Sequence, residues 1–243
     1  MTERRRAPTW FFDLDNTLHD ASHAAFGPTS AAMSEYLVRH LGLAPEAATE
    51  LRQHYWNRYG ATLLGVVRHH GVKAAHFLEE THRLPGLEDR LRTSAHDRAA
   101  LARLPGRKFV LTNAPLAYAL RVLDALRLTR CFDGVLGIED MTMFGEHRPK
   151  PDARMFRHLL ARMKLRPSRC VLVEDTLEHQ KSARGIGMRT VWMRRYLDGR
   201  FRGTLRDGIN NGARQQKVGV HPCKNPRYVC AKIGSLQLLR AMR

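Results

Sequence analysis

The segment FFDLDNTLHD, residues 11–20, restricts the fold more than any other part of the chain. An apolar run ends there in two aspartates placed two positions apart, Asp13 and Asp15. A buried, unpaired carboxylate is costly, and a second negative charge beside it raises the cost further. We therefore expect a strand that ends at a polar cleft, where other groups or a cation compensate both carboxylates.

Short apolar runs rich in aromatic and β-branched residues recur along the chain. Such runs are typical of strands that are buried on both faces of a parallel sheet. They occupy residues 9–13, 108–112, 134–138, 170–174 and 190–193. Helical patterns separate the later runs, and strands that alternate with helices indicate an α/β fold with right-handed crossovers. We therefore predict a core with a Rossmann-like parallel sheet.

Two segments between these strands place apolar residues at helical spacing, which predicts helices with one buried face. In residues 115–128 the residues expected to be buried are Leu116, Ala119, Leu120, Leu123 and Leu126. In residues 152–165 they are Met155, Phe156, Leu159, Leu160 and Met163.

Residues 21–102 separate the first strand from the second, which is too long for one crossover, and they contain no strand pattern. Their apolar spacing predicts helices instead. One helix is expected to be capped by Thr29 or Ser30 and to end at Gly42. Another is expected to begin at Pro45.

We predict that residues 21–102 form a small all-helical cap, inserted after the first strand. The core domain would then consist of residues 1–20 and 103–243.

The C-terminal segment, residues 197–243, carries ten lysines and arginines against two acidic residues. Residues 198–220 are rich in glycine, asparagine and arginine, which predicts a loop. RYVCAKI, residues 227–233, is then expected to form a strand. GSLQLLRAM, residues 234–242, is expected to close the chain as a short helix capped by Ser235.

The formal net charge of +18 favours anionic partners such as phosphate esters, nucleic acid or acidic lipid, unless it only solvates the surface. Proteins that bind single-stranded nucleic acid usually interleave aromatic residues with basic ones. Residues 197–243 contain only Phe201 and Tyr228 as aromatic residues. We therefore do not expect nucleic acid to be the partner.

The four cysteines, Cys131, Cys170, Cys223 and Cys230, form no CxxC pair. We expect reduced thiols and no cysteine-based zinc site, as in a cytoplasmic protein. No apolar run approaches the ~20 residues of a membrane span, and no secretory signal is recognisable. A membrane partner is therefore not expected, and the oligomeric state stays open.

Polar residues stand at the ends of several predicted strands, and a lysine lies in the segment RPKPD before a helix. In open parallel sheets, ligands bind at the carboxyl ends of the strands. We therefore expect the following residues to converge on one edge of the sheet: Asp13, Asp15, Thr112, Asn113, Lys150, Glu174 and Asp175. Several acids in one cleft need a cation, and oxygen ligands of this kind suit Mg²⁺.

The order DxDxT, strand-end Thr-Asn, Lys-Pro and Glu-Asp resembles the haloacid dehalogenase superfamily over nearly the whole chain. Residues 51–71, 104–115 and 173–193 are similar to its pyrimidine 5′-nucleotidase branch. Members of that branch carry a small helical cap between the first and second motifs. The predicted insertion lies at the same place in this chain.

The resemblance implies a role for each acidic residue. Asp13 would be the nucleophile that forms an aspartyl phosphate. Asp15 would protonate the leaving oxygen and then activate the hydrolytic water. The Asp13 carboxylate, the Asp15 backbone carbonyl and Asp175 would hold Mg²⁺, and Glu174 would reach the metal through water.

The resemblance also implies a site for the phosphoryl group. The Thr112 hydroxyl and the Asn113 backbone N–H would bind its oxygens. Lys150 would neutralise the nucleophile and the transferred group, and so take part in catalysis. Asp15 favours cleavage of phosphate esters, because an alkoxide leaving group needs a proton and a halide does not.

The expected activity is therefore that of a Mg²⁺-dependent phosphatase acting on a pyrimidine nucleoside 5′-monophosphate such as UMP or CMP. Another small phosphate ester, such as phosphoglycolate or a sugar phosphate, is the alternative, and a phosphomutase is less favoured. A basic nucleic-acid-binding protein built on an inactive hydrolase fold is the rival from another class. The intact set of Asp13, Asp15, Lys150 and Asp175 argues against inactivity.

Two features of the predicted cap and cleft remain open. Arg52, Tyr55, Tyr59 and Thr62 could line a nucleobase pocket, although packing within the cap explains the tyrosines equally well. His19 stands where many members of the superfamily carry a tyrosine, and we expect it to lie beside the cleft.

Overall fold

The structure is a computed structural model that describes residues 7–92, 94–197 and 226–241. Its strands are β1 (Thr9–Phe12), β2 (Lys108–Leu111), β3 (Gly134–Leu136), β4 (Thr142–Met143), β5 (Glu146–His147), β6 (Cys170–Glu174), β7 (Arg189–Met193) and β8 (Ala231–Ile233). Its α-helices are α1 (Ala21–Ala24), α2 (Phe26–Leu41), α3 (Pro45–Tyr59), α4 (Thr62–His70), α5 (Ala74–Thr81), α6 (Leu87–Arg90), α7 (Ala95–Arg103), α8 (Leu116–Ala125), α9 (Ala153–Arg162) and α10 (Leu177–Gly185). Short 3₁₀ helices cover Thr129–Cys131, Ile138–Asp140, Pro167–Arg169 and Leu236–Ala241.

Six strands form one parallel sheet in the order β3–β2–β1–β6–β7–β8. The predicted α/β fold with a Rossmann-like parallel sheet is therefore confirmed. β1 lies between β2 and β6, with Phe11 opposite both Phe109 and Leu172. This order brings the carboxyl ends of three strands side by side, although they come from distant parts of the chain.

Alternate residues of the central strands enter two separate hydrophobic cores, because successive side chains of a strand point to opposite faces. Trp10 and Phe12 of β1 belong to the core on one face, and Phe11 belongs to the core on the other. The second core is completed by α9, where Met155 and Phe156 are buried as the helical pattern predicts. Burial on both faces explains why these strands show no polar alternation.

The described residues between β1 and β2 form helices and no strand. The helices α2 to α5 build a core of their own, with Leu37, Val66 and Phe77 at its centre. The helices α6 and α7 instead contribute Leu87 and Leu101 to the core that contains Trp10 and Phe12 of β1. The domain boundaries proposed from the sequence stay a prediction.

Helix α2 begins earlier than its sequence suggests. The chain passes from α1 directly into α2 through Ala25, and the helix starts at Phe26. The N–H of Thr29 already donates to the Ala25 carbonyl (2.9 Å), so that neither Thr29 nor Ser30 is the cap. The predicted end is confirmed, since Gly42 adopts the left-handed conformation typical of a helix C-terminus.

The buried face of α8 differs from the prediction. Tyr118 and Val122 are buried together with Ala119 and Leu123, whereas Leu120 is exposed. The helix is rotated so that the Tyr118 hydroxyl reaches Asp15 at the end of β1. A pattern of apolar residues carries no signal for such a polar contact.

The C-terminal strand is shorter than predicted and the closing helix is a 3₁₀ helix rather than an α-helix. The predicted loop at residues 198–220 lies outside the described residues. Across the described ranges, no helix combines the length and the apolar character needed to cross a membrane.

The core of α2 to α5 leaves no room at Gly65 of α4. A Cβ atom at this position would overlap the ring of Tyr55 on α3. We predict that Gly65→Ala lowers the free energy of unfolding by about 1–3 kcal/mol, because overpacking a filled core displaces its neighbours. Chemical denaturation of the two proteins measures the difference.

Gly185→Ala is the matched control, because Gly185 is also helical but has open space around its Cβ position. Alanine there should stabilise the fold by up to about 1 kcal/mol through its higher helix propensity. Equal stability changes for the two variants would show that Tyr55 does not pack on Gly65 as described.

Candidate active site

Polar side chains meet where β1, β2 and β6 end. The N–H of Asp13 donates to the carbonyl of Val173 (2.9 Å), which continues the pairing of β1 with β6 beyond the last strand residue. Only 6% of the Asp13 surface is exposed. The carboxylate that follows the apolar run is therefore nearly buried and depends on partners for compensation.

Lys150 supplies the positive charge at this point. Its Nζ donates to Asp13 Oδ1 (2.6 Å) and to Glu174 Oε2 (2.8 Å), and its side chain is buried. The Asn113 side chain fixes the lysine backbone, because Nδ2 donates to the Lys150 carbonyl (2.9 Å) and Oδ1 accepts from the Lys150 N–H (2.9 Å). Residues from three separate segments thus hold one ammonium group between two carboxylates.

Glu174 is fully buried and is the most thoroughly paired of these acids. Its Oε1 accepts from the N–H of Thr176 (3.2 Å), and its Oε2 also lies 3.1 Å from Nδ1 of His179. Burial opposes ionisation, but Lys150 and His179 outweigh it and hold the pKa of Glu174 below its usual range. Glu174 therefore stays a carboxylate and anchors the lysine.

Asp13 and Asp175 are stabilised less by nearby positive charge than Glu174 is. Burial, followed by repulsion from Glu174, raises the pKa of Asp13 to about 8 and that of Asp175 to about 9. Asp13, Glu174 and Asp175 each offer an oxygen within 4.8 Å of the others. One lysine faces three carboxyl groups, and the donor set suits a divalent cation that prefers oxygen ligands.

We call Asp13, Glu174 and Asp175 the carboxylate cluster. Asp15 lies outside this carboxylate cluster. Its Oδ1 accepts from the Tyr118 hydroxyl (2.9 Å) and lies 2.9 Å from Nε2 of His19, whose side chain is fully buried. The structure therefore places His19 in contact with Asp15, a closer relation than the cleft-side position expected from the sequence. Two carboxylates two residues apart thus have different surroundings.

Thr112 is buried, and its Oγ1 accepts from the N–H of Ala114 (3.1 Å). The Thr112 N–H donates to the Leu136 carbonyl of β3 (3.0 Å). Both the side chain and the backbone of Thr112 are therefore held by hydrogen bonds at the end of β2. All seven residues expected at this edge of the sheet lie in the segments that meet there. Their roles in binding and catalysis stay a prediction.

Sequence reasoning missed Tyr118 and His179. Both lie in the first turn of a helix that follows a strand end, Tyr118 in α8 and His179 in α10. In a parallel sheet the first turn of such a helix lies at the same edge as the strand end. A polar aromatic residue in this turn is the signal that could have identified them.

The candidate nucleobase residues of the predicted cap already have partners within the inserted helices. The buried Tyr55 has its hydroxyl 2.8 Å from Nε2 of His70, and Thr62 Oγ1 donates to the Arg52 carbonyl (3.2 Å). The Tyr59 hydroxyl lies 2.6 Å from a histidine of α4. Packing among the inserted helices therefore accounts for Tyr55.

A model of haloacid dehalogenase-like hydrolases matches residues 8–187. The chain belongs to this family. The matched range contains the whole carboxylate cluster and Lys150, together with the helices inserted between β1 and β2.

Several known proteins resemble this hydrolase. Phosphate metabolism protein 8 of Saccharomyces cerevisiae is 24% identical over 192 residues, which are 74% of this chain and 59% of the yeast protein. The HAD-hydrolase YfnB of Bacillus subtilis, bound to magnesium, has a TM-score of 0.55 at 16% identity, with 98% of this chain and 99% of that one covered. CbbY of Rhodobacter sphaeroides, in complex with phosphate, has a TM-score of 0.56 at 19% identity, with 96% of each chain covered.

The raised pKa values predict how stability depends on pH without a divalent cation. Between about pH 7 and pH 9, the folded protein keeps protons on Asp13 and Asp175 that an unfolded aspartate, with a pKa near 3.9, has lost. Each such proton lowers the free energy of unfolding by up to about 1.4 kcal/mol per pH unit as pH rises. Glu174 adds no slope in this window, because it is ionised in both states.

Melting temperatures in chelator at pH 7, 8 and 9 should therefore decline, and a saturating divalent cation should flatten the decline. Asp175→Asn is the matched variant, because it removes one titrating group and should reduce the slope in chelator. A melting temperature that stays constant or rises over this range in chelator would contradict the raised pKa values.

Proposed function

We propose that this hydrolase cleaves phosphate monoesters through an aspartyl phosphate on Asp13 and depends on Mg²⁺. The proposal depends above all on the contrast between Asp13 and Asp15. Asp13 lies against Lys150 in a group of carboxylates, whereas Asp15 is held by Tyr118 and His19 outside that group. Carboxyl groups in different surroundings can serve different steps of one reaction.

Asp13 would be the nucleophile. Its oxygen attacks phosphorus, so that a bond from Asp13 to phosphorus forms and the bond from phosphorus to the leaving oxygen breaks. Lys150 contacts the attacking carboxylate and would stabilise negative charge on the transferred group. The ammonium group is already held by Glu174 and its backbone by Asn113, so little rearrangement is required.

Asp15 would give its proton to the departing alkoxide and then take a proton from the water that hydrolyses the aspartyl phosphate. The second step releases inorganic phosphate and returns Asp13 to a carboxylate. The contacts from Tyr118 and His19 hold the Asp15 carboxyl group in place for both transfers. A halide would need no such proton, which favours ester cleavage over dehalogenation.

Mg²⁺ would be held by the Asp13 and Asp175 carboxylates and the Asp15 backbone carbonyl, and Glu174 would reach it through water. When bound, it would offset the repulsion between these acids and a dianionic phosphate. The raised pKa values of Asp13 and Asp175 support a cation at this place. The magnesium named for the Bacillus subtilis hydrolase gives independent support.

The substrate would bind through its phosphoryl group to the Thr112 hydroxyl, the Asn113 backbone N–H and Lys150. A pyrimidine nucleoside 5′-monophosphate such as UMP or CMP is the proposed substrate, because three segments of the chain are similar to that branch of the superfamily. Support for the phosphate class comes from the yeast phosphate metabolism protein and from the phosphate complex of CbbY. Phosphoglycolate or a sugar phosphate is the alternative.

We also propose that residues 21–102 act as the cap domain over a core of residues 1–20 and 103–243.

The cysteines among the described residues, Cys131, Cys170 and Cys230, are free thiols, which supports a reducing, cytoplasmic setting.

Asp13→Asn should abolish turnover of p-nitrophenyl phosphate in Mg²⁺, because a neutral amide cannot form the acyl phosphate. The variant should fold with an unchanged or higher melting temperature in chelator at pH 8, since one residue of the carboxylate cluster has lost its charge. Asp124→Asn, at an exposed aspartate of α8, is the control and should keep full activity. Residual activity of Asp13→Asn above a few per cent would remove Asp13 from this role.

Steady-state kinetics on a panel of phosphate monoesters would test the proposed substrate. The panel contains UMP, CMP, AMP, GMP, phosphoglycolate and glucose 6-phosphate, each with Mg²⁺. We expect kcat/KM for UMP or CMP to exceed that for phosphoglycolate and glucose 6-phosphate by roughly tenfold or more, because an enzyme that recognises a base by hydrogen bonds would discriminate against substrates without one. A preference for either non-nucleotide ester would favour the alternative.

A further inference from the structure

A second group of metal-ligating side chains lies in the helical insert. His40 is in the last turn of α2, and His76 and Glu80 are one helical turn apart on α5, which packs against α2. Nε2 of His40 lies 3.2 Å from Glu80 Oε2, and Nε2 of His76 lies 3.3 Å from Glu80 Oε1. All three residues offer a ligand atom within 4.8 Å of the others.

We propose that His40, His76 and Glu80 form a binding site for Zn²⁺ or a similar transition-metal ion that joins α2 to α5. Two imidazole nitrogens and one carboxylate oxygen are ligands that such ions prefer, whereas Mg²⁺ prefers oxygen alone. Three protein ligands leave one position of a tetrahedral ion for water. The proposed site is separate from the carboxylate cluster at the sheet edge, and it does not depend on the proposed phosphatase activity.

The spacing of the ligand atoms suits a tetrahedral ion. Metal–nitrogen and metal–oxygen bonds of about 2.0–2.1 Å imply separations of roughly 3.3 Å between neighbouring ligands. The two distances from histidine nitrogens to Glu80 oxygens, 3.2 and 3.3 Å, are close to this value. The two nitrogens face different oxygens of the same carboxylate, so the Glu80 side chain would turn to give one oxygen to the ion.

A buried side chain already orients one of the ligands. The Tyr36 hydroxyl lies 2.8 Å from Nδ1 of His76, and Tyr36 is only 3% exposed. A histidine that binds metal through one ring nitrogen usually donates a hydrogen bond from the other, which fixes its tautomer. The Tyr36 oxygen can accept this hydrogen bond and leave Nε2 of His76 directed at Glu80.

The competing interpretation is a cluster of surface ion pairs. Arg39 Nη1 also lies 3.2 Å from Glu80 Oε2, and both histidines can pair with the same carboxylate. Exposed pairs of this kind contribute little to stability. The two interpretations differ in what Arg39 does: it supports an ion-pair cluster, but it competes with a metal ion for Glu80.

The proposal is tested by calorimetric titration of the untagged full chain with ZnCl₂. Saturating Mg²⁺ is present throughout, so that it occupies the carboxylate cluster. We expect one equivalent of Zn²⁺ to bind and to raise the melting temperature. Co²⁺ in place of Zn²⁺ should give the visible absorption of a tetrahedral complex. Absence of a 1:1 binding event in Mg²⁺ would overturn the proposal.

Variants locate the ion. His76→Ala and Glu80→Gln should weaken Zn²⁺ binding more than tenfold, and Tyr36→Phe, which keeps the ring, should weaken it about 10–100-fold. Arg39→Ala should bind Zn²⁺ as tightly or more tightly. The control His158→Ala, at an exposed histidine of α9, should leave binding unchanged.

Folding of each variant is checked by circular dichroism in chelator, so that a loss of binding is not confused with unfolding. If folded His76→Ala and Glu80→Gln both bind Zn²⁺ like the parent protein, the ion lies elsewhere and the proposal is wrong. If Arg39→Ala weakens Zn²⁺ binding as much as Glu80→Gln does, the cluster is an ion-pair network and not a metal site.

Discussion

The buried ammonium group of Lys150, placed between Asp13 and Glu174, is the interaction on which the rest of the site depends. Its distances of 2.6 and 2.8 Å join β1, β6 and the segment before α9 at one point. Removing this lysine would leave buried carboxylates without a positive partner, and breaking a buried pair in this way typically costs about 3–5 kcal/mol. The sheet order, with β1 between β2 and β6, is what allows two carboxylates from distant segments to share this lysine.

One lysine cannot compensate three carboxyl groups, and the site is left with a deficit of positive charge. The deficit falls on Asp13 and Asp175, whose pKa values are raised, while Glu174 keeps its charge through Lys150 and His179. A buried site of this kind favours a divalent cation and repels an anionic substrate until that cation is present. Charge balance therefore links metal binding, stability and the proposed chemistry.

Much of this arrangement could be predicted from the sequence because strand ends in a parallel sheet meet at one edge. The apolar run before Asp13 and the strand before Glu174 identified β1 and β6, and the site followed from their shared edge. The position of Tyr118 in the first turn of α8 could have placed it at this edge, but its contact with Asp15, like that of His19, depends on the rotation of α8 and on a turn that buries His19 completely. The start of α2 was also missed, since only Ala25 separates it from the preceding helix α1 and Ala25 is not a typical capping residue.

The central claim is that Asp13 carries the phosphoryl group, and trapping that intermediate tests it most directly. Asp15→Asn should still react with p-nitrophenyl phosphate, whose leaving group needs no proton, but it should hydrolyse the aspartyl phosphate slowly because no base activates water. After acid quenching, mass spectrometry of peptic peptides should find the phosphoryl group on the peptide that contains Asp13, and hydroxylamine should release it. A phosphoryl group on another residue, or none during a rapid burst of p-nitrophenol from Asp15→Asn, would contradict the account.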